Sequence, residues 1–175
     1  MAVREILTYP NPRLAIPSEP VEEFDEELRT LIDDMIETMY AAPGIGLAAA
    51  QVDVHKRLFV IDIEYEQDEG DPAILHKKNP RTFINPVIYN QAGEILYKEG
   101  CLSVPGIYEE VKRSELITVD YWDVDGKKHT EDFEGLLAVA IQHENDHLLG
   151  RLFIDRLSFV KSRTIKKRIK RELKE

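Results

Sequence analysis

The chain has 175 residues, 43% of them hydrophobic and 32% charged, with a formal net charge of −10; this is the composition of an ordinary globular protein and excludes disordered, collagen-like, coiled-coil-rod and mucin-like readings. Its length suits one core burying about 70% of the surface of the unfolded chain, so a single domain over 1–175 is expected rather than two. No run approaches the ~18 apolar residues of a bilayer span, and the start MAVREILTYP lacks a signal-peptide apolar region and transit-peptide character, so a cytoplasmic protein with no membrane partner is expected.

The first 20 residues hold four of the nine prolines, Pro10, Pro12, Pro17 and Pro20, and their locked φ predicts an extended arm with no helix. From Asp25 to Ala42 the apolar residues Leu28, Leu31, Ile32, Met35, Ile36, Met39 and Tyr40 recur at helical spacing, with Asp25 as cap and Pro43-Gly44 as stop. Segments 57–64 and 82–89 read as strands, and the polar stretch 65–80 between them reads as a long surface loop. Ile117, Val119 and Tyr121 alternate within 115–124, and Asp125-Gly126 predicts a hairpin to a return strand near 127–133. Leu136 to Leu149 is an apolar run of helical length, expected to be central and buried, with Gly150 as a left-handed terminator. The last segment, 158–175, places Ile165, Ile169 and Leu173 on one narrow stripe. Strands around a buried helix without βαβ alternation imply an α+β fold, antiparallel sheets packed around that central helix, with a further C-terminal helix.

Charge is unevenly spread. Residues 161–175 carry eight Lys and Arg against Glu172 and Glu175, a net +6, while the other 160 residues hold 15 basic and 31 acidic side chains, a net −16. An acidic body argues against wholesale nucleic-acid binding, and the basic helical extension 158–175 either complements its own dipole or meets an anionic partner.

Within the central helix, Gln142-His143-Glu144-Asn145-Asp146-His147 places two imidazoles at i and i+4 on one face, a bidentate metal clamp, beside a carboxylate able to act as general base: the H-E-x-x-H arrangement. Core-facing histidines without a metal would leave buried nitrogens unpaired. Leu136, Val139 and Ala140 precede the histidines on the same face and predict an apolar pocket. No suitable third ligand follows His147 closely, and the one cysteine, Cys101 in Glu99-Gly100-Cys101-Leu102-Ser103, is either that ligand or a small buried hydrophobe. In Gly44-Ile45-Gly46-Leu47-Ala48-Ala49-Ala50-Gln51 small residues permit close backbone approach and Gln51 offers an amide donor, but the spacing fits no phosphate loop. Asp146 either braces a ligand from behind, with Arg113 as a conceivable partner, or faces solvent.

GIGLAAAQ at 44–51, EGCLS at 99–103 and QHENDH at 142–147, in that order, resemble the three signature motifs of the peptide deformylases, and the likeness extends over most of the chain. Segment 64–81 is longer than the connection usual in that family. The resemblance implies that Cys101, His143 and His147 hold one divalent ion with water as fourth ligand; family members favour Fe²⁺, and Ni²⁺ or Co²⁺ keeps them active, although the ligand types alone point to Zn²⁺. It implies removal of the formyl group from the N-terminal formyl-methionine of nascent peptides by a metal-bound hydroxide, with Glu144 as general base and acid. Gln51 and the Leu102 backbone N–H are then the oxyanion donors. The methionine side chain is expected among Ile45, Leu136, Val139, Ala140 and Tyr97, and the peptide backbone against Gly44, Ile45, Gly46 and Gly100 as an added strand. The basic helix is expected to meet the ribosome near the exit tunnel.

Two rival readings stand beside this one. A zinc metallopeptidase would use His143, Glu144 and His147 with Cys101 as core filling, and Cys101→Ser would then keep its metal. A ribosome-associated binding module with a vestigial site would have no chemical need for Glu144 or Gln51.

Overall fold

A computed structural model describes residues 2–174. Asn11 and Pro12 open a short 3-10 turn, Pro12–Ala15, in which the Asn11 side chain accepts the Arg13 N–H at 2.9 Å. This corrects the expectation of a helix-free arm: the φ of proline suits the first position of a helical turn as well as an extended chain. Helix α1, Glu26–Ala41, is capped by Asp25, whose carboxylate accepts the Leu28 N–H at 3.0 Å, with Glu26 and Glu27 at the positive end of the dipole.

Among the described residues nine strands follow: β1 Gly46–Ala48, β2 Leu58–Ile61, β3 Glu66–Gln67, β4 Leu75–His76, β5 Arg81–Ala92, β6 Ile95–Cys101, β7 Val104–Arg113, β8 Leu116–Trp122 and β9 Lys128–Glu134, with a 3-10 turn at Ala49–Val52. Helix α2, Gly135–Leu148, a turn at Phe153–Arg156 and helix α3, Phe159–Glu172, complete the α+β fold. A five-stranded antiparallel sheet has the order β1-β2-β5-β8-β9, and β6-β7 and β3-β4 are separate two-stranded ribbons.

The large sheet lies between helices α1 and α2, which explains why β2 reads as an unbroken apolar run. Leu58 and Val60 point into the cluster built on α1, with Leu31, Met35 and Met39, while Phe59 and Ile61 point into the cluster built on α2, with Ala138 and Ile141. Both faces of the strand are dry, so alternation disappears. A third cluster joins Val104, Ile107 and Val111 of β7 to Phe153, Ile154 and Ile165, and so docks α3 on the β6-β7 ribbon. Leu173, expected on the same stripe, is exposed.

The expected strand 57–64 stops at Ile61, because Asp62 turns its carboxylate inward and gathers backbone donors. The expected loop 65–80 contains the β3-β4 ribbon, its turn held by Asp68 accepting the Gly70 and Asp71 N–H groups at 3.0 and 3.1 Å. Strand β5 runs past the expected end at two bulges, where Asn85 and Asn90 take positive φ. The Asp125-Gly126 hairpin joins β8 and β9 as expected.

Helix α2 ends as its sequence requires. Gly150 has φ +76°, its N–H reaches the His147 carbonyl at 3.1 Å, and the Arg151 N–H reaches that of Asp146 at 2.9 Å. A Cβ at Gly150 would lie 2.4 Å from the Ala15 carbonyl oxygen. Gly150→Ala is therefore expected to destabilise the protein by about 2 kcal/mol or more, from left-handed strain plus a backbone clash. Urea denaturation checks this, and an unchanged midpoint would contradict it.

Candidate metal centre

The buried C-terminal half of α2 carries His143, Glu144 and His147, and the ring centroids of the two histidines are 5.3 Å apart. Cys101 arrives from another part of the chain, at the end of β6, where a bulge between Glu99 and Cys101 interrupts the pairing with β7. The ligand atoms of Cys101, His143 and His147 all lie within 4.8 Å of one another, and Cys101 Sγ is 3.4 Å from His147 Nε2. Tetrahedral bonds of ~2.3 Å to sulfur and ~2.1 Å to nitrogen put donor atoms roughly 3.5 Å apart, so the observed set has the spacing of a metal clamp.

His143 is oriented from behind. Its Nδ1 lies 2.7 Å from Glu99 Oε1, and Glu99 in turn receives Arg113 Nε at 2.7 Å and Nη2 at 2.8 Å. Burial alone would raise the Glu99 pKa, but Arg113 and His143 hold it below the ordinary carboxylate value. An ionised Glu99 can only accept, so Nδ1 carries a proton, and Nε2 is the nitrogen left to a cation once the cation displaces its proton.

The two histidines titrate in opposite directions. Burial opposes a charge on His143, yet Glu144, Cys101 and Glu99 carry its pKa well above the ordinary value. Burial, His143 and Arg113 push His147 well below it. Glu99, Glu144 and the Cys101 thiol together surround His143 with groups that favour a cation. His147 Nδ1 and Glu144 Oε1 are buried without a hydrogen-bond partner in the protein. Such atoms are costly in a core and cluster where a site is built for a ligand.

Glu144 sits between α2 and β1. A Cβ on Gly46 would fall 2.5 Å from Glu144 Oε2, so a side chain there would push the carboxylate from its place. Burial pushes the Glu144 carboxyl up to about 7. Gln51, also buried, accepts the Ala48 N–H on Oε1 at 2.9 Å, which fixes the amide so that Nε2 donates to Ser103 Oγ at 3.0 Å and lies 3.5 Å from Cys101 Sγ. Leu102 follows Cys101 in the turn from β6 to β7.

A cleft of about 770 Å³ opens beside these groups. All eight side chains or backbones expected to meet substrate line it, namely Gly44, Ile45, Gly46, Tyr97, Gly100, Leu136, Val139 and Ala140, together with Cys101, His143 and Glu144. Leu102 lines it too, whereas Gln51 and His147, each 1% exposed, are outside the lining. Ile6, Pro105 and Tyr108 also line the cleft and carried no sequence signal. Tyr108 covers Gly100, whose added Cβ would meet the ring at 2.5 Å.

Asp146 is buried and accepts Arg113 Nη1 at 2.7 Å and Arg156 Nη2 at 2.6 Å. It touches no ligand itself and reaches His143 through Arg113 and Glu99. Glu99 had no assigned role from the sequence, and Arg156 was missed as well. The available signal was Arg113, a charge on the inward register of β7 after Ile107 and Val111.

Residues 3–163 match the family described as Polypeptide deformylase. The chain is 50% identical over 189 aligned positions to a peptide deformylase of Erythrobacter litoralis, covering 98% of this chain and 97% of that one. Among solved structures, a peptide deformylase from Legionella pneumophila superposes with a TM-score of 0.83 at 46% identity, covering 99% of each chain. One from Ehrlichia chaffeensis, in complex with actinonin, superposes at 0.85 with 40% identity and 98% of each chain covered.

The raised Glu144 pKa has a consequence for the metal-free protein. The folded state binds this proton more tightly than the unfolded state, so the associated stability is complete below about pH 4.5 and lost as the pH rises through about 7. Glu144→Gln removes that loss. In urea denaturation of metal-free protein, the variant should gain on the order of 2–3 kcal/mol over the parent between pH 5 and pH 8. An offset that does not change with pH would contradict the assignment.

Proposed function

The chain belongs to the peptide deformylase family, and from that premise we propose how its residues divide the work of removing the N-formyl group from nascent polypeptides. Cys101, His143 and His147 hold one divalent cation, a reading supported by the spacing of their donor atoms and by the groups around His143 that favour a cation. A thiolate with two imidazoles is a borderline-soft set; Fe²⁺ is our assignment on the family resemblance, with Ni²⁺, Co²⁺ or Zn²⁺ able to take its place. When bound, such an ion supplies Lewis acidity toward water and the formyl carbonyl.

The proton work falls to Glu144. A carboxyl held near neutrality by burial can take a proton from the attacking water and return it to the departing amine. Water oxygen bonds to the formyl carbon, the C–N bond breaks, and formate and a free N-terminal amine result. Gln51 Nε2 donates to the oxygen that becomes negative, since its Oε1 is already committed to Ala48, and the Leu102 N–H is the second donor. The methionine side chain enters among Ile45, Tyr97, Leu136, Val139 and Ala140, and the peptide backbone pairs along Gly44, Ile45, Gly46 and Gly100. Backbone pairing reads no distal side chain, so tolerance for the residues after methionine follows. One catalytic domain, residues 1–175, carries all these parts, and 158–175 is its basic extension.

That extension is our assigned contact with the ribosome near the exit tunnel, in a cytoplasmic setting. In α3 only Ile165 is buried, and Arg163, Lys167 and Arg171 are exposed with no ion pair among the described residues. Phosphates of rRNA suit such cations on an otherwise acidic protein. No helix among the described residues is long and apolar enough to cross a membrane.

The observation that carries the reading is Cys101 Sγ within 3.4 Å of His147 Nε2, where a metallopeptidase would need only core filling. Anaerobically purified protein should release formate from a formyl-methionyl dipeptide. Glu144→Gln should lower kcat about 10²–10⁴-fold with metal content kept, and Cys101→Ser should lose the metal. A Cys101→Ser protein with full metal content would favour the metallopeptidase. Neutralising Arg163, Lys167 and Arg171 to Gln should weaken salt-sensitive ribosome cosedimentation and leave dipeptide turnover intact; undiminished cosedimentation would discard the contact.

A further inference from the structure

The long segment after β2 is tied to the wall of the cleft through one side chain. Asp62 is 1% exposed, and its carboxylate accepts four hydrogen bonds. They come from the Tyr40 hydroxyl at 2.6 Å and from the N–H groups of Asn79 at 2.8 Å, Glu64 at 2.9 Å and Tyr65 at 3.2 Å. This one group closes both ends of the segment onto the end of α1. Tyr65 is placed as a result: its ring meets that of Tyr40 edge-on at 4.8 Å, and its hydroxyl donates to the Gly44 carbonyl at 2.7 Å.

Gly44 belongs to the wall of the cleft. Its N–H is held by the Met39 carbonyl at 2.8 Å, and the neighbouring Ile45 carbonyl is held by the Asp62 N–H at 2.9 Å. Tyr65 supplies the remaining restraint, the one on the Gly44 carbonyl. Burial and the Asp62 charge raise the Tyr65 pKa above the ordinary phenol value, so the hydroxyl stays a donor at neutral pH.

We propose that Tyr65 is a positioning residue for the peptide substrate, its hydroxyl fixing the Gly44 carbonyl so that residues 44–46 meet the peptide backbone in one conformation. This rests on the reading that those residues pair with the substrate. Without the hydroxyl, the wall between Pro43 and Gly46 gains conformations that binding must remove. That penalty falls equally on bound substrate and transition state, because Cys101, His143 and Glu144 belong to β6 and α2, and Glu144 meets this wall only at Gly46, which its own pairing with Ile61 holds. The effect therefore belongs to KM and leaves kcat alone.

The test compares two variants of the metal-loaded enzyme on a formyl-methionyl tripeptide. Tyr65→Phe keeps the ring packing and removes only the donor to Gly44; it should raise KM about fivefold, the factor that one net hydrogen bond is worth, with kcat and metal content unchanged. Tyr40→Phe breaks the link from Asp62 to α1 but leaves the Tyr65 donor, and should lower thermal stability at unchanged KM. An unchanged KM in Tyr65→Phe, an equal rise in both variants, or a fall in kcat instead would each overturn the proposal. Absence of formate release from the parent would overturn the deformylase reading itself, and this proposal with it.

Discussion

His143 donates a hydrogen bond from Nδ1 to a carboxylate, Glu99, that is itself buried and gripped by two nitrogens of Arg113, and the rest of the cleft is arranged around the ring's other nitrogen. Without an ionised Glu99 the imidazole could turn or change tautomer, and its ligating nitrogen would no longer be fixed. Asp146 and Arg156 extend the same chain of charges to the protein surface. A buried network of this kind is weak evidence for stability, since taking charges from water is costly. What it provides is one fixed ring orientation.

The site also keeps groups that a core built for stability would not keep. Glu144 lies in a place that disfavours its charge, and its Oε1 and the His147 Nδ1 are buried without partners in the protein. The rigid frame around them makes this tolerable: α2 is packed against the large sheet, and β1 passes so close that a side chain at position 46 would push the Glu144 carboxylate from its place. Local conflict at the chemistry is the pattern expected of a functional protein.

Much of this was legible in the residues. The apolar stripe of α1, the Asp125-Gly126 turn and the i, i+4 histidines each follow from a local period, and local periods survive into the fold. The β6-β7 ribbon did not show, because the buried position of β6 is Glu99, followed by Gly100 and Cys101, and Pro105-Gly106 interrupts β7 between its inward Val104 and Ile107. Function had overwritten the alternation that marks a strand. The role of Glu99 was hidden for the same reason: its partners, Arg113 and His143, are 14 and 44 residues away, and no spacing rule connects them. The tie from Tyr65 to Gly44 is likewise purely tertiary. The pocket lining was legible because Leu136, Val139 and Ala140 share the helix face that carries His143.

The central claim is that one sulfur and two imidazole nitrogens, distant in the chain, bind a single cation. X-ray absorption at the metal edge of anaerobically loaded protein tests it directly. One sulfur scatterer at ~2.3 Å and two imidazole nitrogens at ~2.1 Å are expected. A first shell of nitrogen and oxygen alone, with no sulfur, would contradict it.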